Sequence, residues 1–134
     1  MDFSSVNWLA VIVCVVVAMI SGFVWYHPSV FFKPWWSGLG KSGEPGNPNP
    51  MIWVFTIIAA FVQALFISLM LNRMGVTTIA GCTTAAFMLW LGFVAPTSLA
   101  NKLFAGHGFN VWAIEAGNHL VNFLLFGAIL GAWR

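Results

Sequence analysis

Four polar residues interrupt an otherwise apolar stretch near the C-terminus: Glu115, Asn118, His119 and Asn122. On a helix turning about 100° per residue they fall within an arc of roughly 100°, so they form one polar stripe. Glu115 is the sole carboxylate in the long apolar segments. An ionised carboxylate without a partner is costly in hydrocarbon, so Glu115 must face protein or water, or be protonated. His119 lies one turn further on, close enough to hydrogen-bond to Glu115 and exchange a proton with it, while Asn118 and Asn122 extend the network. Three chemistries fit this stripe. The groups can satisfy one another and hold helices together. They can bind a proton, cation or small solute, with Glu115 as the ion site, His119 tuning it and the asparagines orienting the solute. Third, Glu115 and His119 can act as acid and base on a lipid or quinone.

Other features favour no catalytic or metal centre. Glu115 and His119 lack the H-E-x-x-H signature and a further ligand, so no metal and no cofactor is expected. Ser21, Ser68 and Ser98 have no nucleophile-elbow context, Cys14 and Cys82 lack a nearby base, and all five read as packing residues. The residues that can form the mouth of a site are Trp25, His27, Lys33, Trp35, Asn101, Lys102 and His107, all of which fall on the side from which the stripe is approached.

The stripe has to be positioned by membrane helices. Of the 134 residues, 60% are hydrophobic and 6% charged, too little polar surface for a water-soluble domain of this length. The apolar blocks reach the ~20 residues needed to cross hydrocarbon at 1.5 Å per residue. They predict one all-α transmembrane domain over residues 1–134, an antiparallel bundle of four spans at 6–26, 51–71, 78–99 and 111–133. Both chain ends then share one side with Arg73 and Arg134. The other side holds Lys33, Lys41, Lys102 and the connections 27–50 and 100–110. That charge bias is too small to fix orientation. In the first connection, Val30 to Trp36 reads as an aromatic interfacial segment and Gly43 to Pro50 as a turn-rich loop. Trp8, Trp25, Trp35, Trp36, Trp53, Trp112 and Trp133 lie near block ends, where indoles favour the headgroup region. With no basic run, nucleic acid is excluded as a partner; membrane lipids are the expected surroundings.

Small residues mark the packing faces. Gly127 and Gly131 form a GxxxG on the last span, on a face shared with Ala113 and Ala116 and well away from the polar stripe. Gly81, Ala85, Gly92 and Ala95 make a stripe on the third span, and Thr56, Ala59, Ala60 and Gln63 make one on the second. Two buried faces on the last span require either a central position or a subunit contact, and the expectation is a homo-oligomer or membership of a larger membrane complex.

Gly22-Phe23-Val24-Trp25-Tyr26-His27-Pro28, then Phe32-Lys33-Pro34-Trp35, begins a pattern. It continues through Leu89-Trp90-Leu91-Gly92-Phe93-Val94-Ala95-Pro96, Asn101 to Phe104, and Ile114-Glu115-Ala116-Gly117-Asn118-His119-Leu120. In order and spacing this resembles a bacterial membrane family catalogued as domain of unknown function 1761, over nearly the whole chain. The resemblance implies a small four-helix protein of bacterial membranes and brings no established activity, cofactor or catalytic residue. Members of that family often carry an acidic residue where Glu115 stands and a histidine where His119 stands. The reading that follows is a structural, accessory or oligomeric component of a bacterial cytoplasmic membrane that acts by helix packing. Transport through the helix-four stripe is the alternative, and lipid or quinone chemistry is third.

Overall fold

The computed structural model describes residues 2–133, so Arg134 lies outside the described residues. Among these residues the chain is helical, with no strand. A single 3-10 turn at Phe3–Ser5 precedes α1 (Trp8–Trp25), α2 (Phe32–Gly38), α3 (Pro50–Arg73), α4 (Ile79–Phe104) and α5 (Gly108–Ala132). Four of these, α1, α3, α4 and α5, are long and apolar enough to cross a membrane.

Each start has a local cause. Asn7 caps α1 by accepting from the Ala10 N–H, and Thr78 caps α4 by accepting from the Gly81 N–H. Asn49 accepts from the Met51 N–H while Pro50 occupies the first helical position, where its missing N–H costs nothing. The turn between α3 and α4 closes on Gly75, whose φ of 70° lets the Val76 N–H reach back to the Leu71 carbonyl.

The third span differs from its sequence expectation. It was expected to end at residue 99 and to be followed by a connection over 100–110, but α4 continues to Phe104. Pro96 does not end it, because a π turn at Trp90–Val94 widens the helix just before the proline, with the Ala95 N–H bonded to the Trp90 carbonyl. The wide turn accommodates the carbonyl that Pro96, lacking an N–H, leaves without a donor. The helix stops instead at Gly106, at φ 81°, where the His107 N–H bonds the Lys102 carbonyl. Asn101 and Lys102 therefore belong to the end of a helix rather than to a loop.

α5 touches all the other helices. The apolar core lies in one half of the bundle: Ala10, Val11, Cys14 and Ala18 from α1, Ala60, Ala64, Ile67 and Leu71 from α3, Cys82 and Ala86 from α4, and Phe123, Phe126 and Leu130 from α5. Polar ties close that half. The Asn7 side-chain amide donates to the Trp133 carbonyl at 3.1 Å, and that of Asn72 donates to Ser5. In the other half, residues 50–59 of α3 are exposed all round.

The small-residue stripes are partly relocated. A Cβ on Gly127 would lie 2.7 Å from the Cys82 carbonyl and 2.8 Å from Thr83 Cα, and one on Gly131 would lie 3.0 Å from Ile79 Cα. The GxxxG thus seats α4 backbone within the monomer. Cys82 and Ala86, about 100° around the helix from the Gly81–Gly92 stripe, are buried on the first turns of α4, and of the expected stripe only Ala95 is buried. Gly81 meets its own capping turn, Ala85 is half-buried, and Gly92 is exposed with nothing within 4 Å of an added Cβ. On α3, Thr56 and Ala59 are exposed and Ala60 is buried. On α5, Ala113 is exposed and Ala116 buried.

Gly127→Ala forces backbone apart and lowers stability by about 1–3 kcal/mol. Gly92→Ala meets open space and is neutral to stabilising by about 0.5–1 kcal/mol, as expected for alanine in a helix. Thermal unfolding in detergent checks both, and equal effects would remove the α4–α5 seat from the account.

Candidate polar site on the central helix

Glu115 sits two turns into α5 and is met from two other elements. Lys102 Nζ, in the last turn of α4, lies 3.0 Å from Glu115 Oε1, and the Trp35 indole of α2 donates to Oε2 at 2.9 Å. The two charged side chains are 21% and 23% exposed, enough to leave one edge of the pair open. Lys102 reaches Glu115 because α4 runs past Pro96, and its charge also suits the negative end of that helix. The Tyr26 ring packs edge-on against Trp35, with centroids 4.9 Å apart. Opposite charge and an aimed N–H are what a partly desolvated carboxylate requires.

The residues flanking Glu115 are held in the same way. The Trp25 indole of α1 donates to the Ile114 carbonyl at 2.7 Å, and the Trp90 indole of α4 donates to the Ala116 carbonyl at 3.0 Å. Residues 114, 115 and 116 therefore each accept an indole N–H, from α1, α2 and α4 respectively. Trp112 returns a bond from α5 to α4, donating to the Ala95 carbonyl at 3.1 Å and to Ser98 Oγ at 3.2 Å. Gly117 provides the room, since a Cβ there would lie 2.9 Å from Trp25 Cζ2. Gly38 does the same for α2, where a Cβ would collide with Val111.

Deeper along the stripe, Asn118 is 7% exposed and donates to Ser21 Oγ at 3.0 Å. Asn122 is also 7% exposed, and its Oδ1 has no hydrogen-bond partner among the described residues. His119 is half-buried with its Nδ1 likewise unpartnered, and no hydrogen bond joins it to Glu115. The expected Glu115–His119 pair is replaced by Glu115–Lys102 and Glu115–Trp35, because Lys102 offers a full charge and Trp35 a directed donor.

The mouth residues divide. Trp35 and Lys102 touch Glu115, and Trp25 lies against the adjoining turn. His27, Lys33 and Asn101 are exposed, and His27 Nδ1 accepts from the Ser29 N–H. His107, half-buried, ends with an unpartnered Nδ1. Trp90 was missed from sequence. Sequence places Trp112 in a headgroup belt and Trp25 and Trp35 both in that belt and at the site mouth, and the N–H groups of all three bond inward. The signal available was the clustering of tryptophans on the side that also carries Glu115. Among the described residues no three metal-ligating side chains come together.

Glu115→Gln and Lys102→Met each lower the unfolding temperature, and the double variant recovers part of the loss. The coupling from that cycle should be about 1–3 kcal/mol, the range for a charged hydrogen bond. A coupling near zero would show that the pair ties no elements together. Trp35→Phe, which removes only the indole donor, should cost less than either.

No curated protein and no solved structure matches the chain. Residues 9–131 match the family described as protein of unknown function (DUF1761). The match covers the four long helices except Trp8 and Ala132 at their outer ends, every indole donor to α5 and the whole polar stripe. The chain belongs to that family.

Proposed function

We propose that the protein is a non-catalytic component of a bacterial cytoplasmic membrane, acting through helix packing and partner contact as a homo-oligomer or as an accessory subunit of a larger membrane complex. The observation that carries this reading is the pairing of Glu115. The one carboxylate within the long helices is matched by Lys102 and Trp35 in a contact that ties α2, α4 and α5 together. Such a group works as a fastener. The exposed apolar turns of α3, residues 50–59, supply surface that lipid or a partner helix covers. The bacterial setting is the one the family resemblance implies.

Transport of a proton, cation or small solute along the α5 stripe is the second reading, and the unpartnered atoms of His119 and Asn122 favour it. It has less support, because Glu115 is already paired and α5 carries no polar side chain after Asn122.

Gentle extraction from the native membrane, with the mass of the complex compared between wild type and Glu115→Gln, tests the proposal together with vesicle flux. Expected are a complex larger than the monomer and proton and potassium fluxes in reconstituted vesicles no greater than in empty ones. A monomer would overturn it, and a flux that Glu115→Gln abolishes without lowering the unfolding temperature would overturn it in favour of transport.

A further inference from the structure

The orphaned atoms of the stripe point to a ligand. His119 and Asn122 are three residues apart on α5, so their side chains are neighbours on one face. Asn122 is more than nine-tenths buried, and both its Oδ1 and His119 Nδ1 are buried without a partner among the described residues. Native interiors rarely leave such atoms unmet, because each loses its water on burial. The rest of the stripe bonds elsewhere: Asn118 to Ser21, and Glu115 to Lys102 and Trp35.

Chemistry narrows the occupant. An amide Oδ1 only accepts, so the ligand must donate to it, which eliminates a ketone, ester or ether oxygen. An ammonium would donate, but it would add a buried charge where Glu115 is already matched by Lys102. Nδ1 of a neutral imidazole is either a donor or an acceptor. A hydroxyl group donates its proton to one atom and offers lone pairs to another, so a single hydroxyl suits both. α5 continues from this point with Phe123, Phe126 and Leu130, all buried, so the polar stripe ends here along this helix. We propose that His119 Nδ1 and Asn122 Oδ1 together bind one hydroxyl group, either of water or of a membrane-soluble alcohol or phenol. This goes beyond the packing role and does not depend on it.

The test uses the full chain in lipid nanodiscs with nitrogen-15 histidine, the His119 ring signals being assigned by their loss in His119→Phe. Two probes are read, the solvent water itself and added 4-hexylphenol. A cross-peak from water to the His119 ring that 4-hexylphenol leaves intact supports the site with water as occupant. A saturable shift of His119 Nδ1 with 4-hexylphenol, with loss of any water cross-peak, supports the alcohol or phenol. In either case Asn122→Leu should weaken the effect at least tenfold, while Gly92→Ala leaves it unchanged. Absence of both signals in the wild type overturns the proposal without recourse to any variant, as does an undiminished signal in a folded Asn122→Leu protein.

Discussion

A carboxylate two turns inside an apolar helix must be met by charge or by aimed donors, and Glu115 imposes that requirement on everything around it. Lys102 can meet it only if α4 extends past Pro96, which requires the π turn at Trp90–Val94. That same segment begins with Trp90, whose indole bonds the carbonyl next to Glu115. Trp35 can meet it only if α2 lies against α5, which requires Gly38 where it faces Val111. A local electrostatic demand thus accounts for a helix length, a backbone irregularity and the seat of α2.

The two halves of the bundle hold together by different means. Where the chain ends meet, α1, α3, α4 and α5 share an apolar core, and Gly127 and Gly131 bring α4 and α5 into backbone contact. In lipid there is little hydrophobic gain from burying one apolar side chain against another, so close packing of small residues supplies the attraction. In the Glu115 half, α3 contributes no buried residue before Ala60. Indole N–H bonds and the ion pair add there to the packing of Val111, Ile114 and Ala95. They are effective because the surroundings offer little competing water.

Much of this was legible in the sequence. Block length and hydropathy are direct consequences of bilayer thickness, so the four long helices emerged within a few residues of their ends. The common face of Glu115, Asn118, His119 and Asn122 followed from helical periodicity alone. Partner identity did not, because it depends on the end of α4, and the polar Asn101 and Lys102 read as a connection rather than as the last turn that brings Lys102 to Glu115. Register on α4 failed for a related reason. Small residues occur on several faces of that helix, and the facing GxxxG selected Cys82 and Ala86 rather than Gly81 and Gly92. Tryptophan near a span end reads equally as a headgroup anchor or as a donor turned inward, and only the neighbouring carbonyl decides.

The inward tryptophans also explain why the polar stripe is tolerated. A helix carrying Glu115, Asn118, His119 and Asn122 on one face would be a poor lipid neighbour, yet α5 is the most central helix and shows lipid little of that face. Its opposite side is kept narrow by Gly117, Gly127 and Gly131, so α1 and α4 approach closely enough for Ser21 to reach Asn118 and for Trp25 and Trp90 to reach adjacent carbonyls. Glycines on one face of α5 therefore set the distances at which polar groups on the other can be satisfied. Asn122 and His119 lie just beyond the last of these polar contacts and before the apolar core, which is why they are the stripe members left to an occupant other than protein.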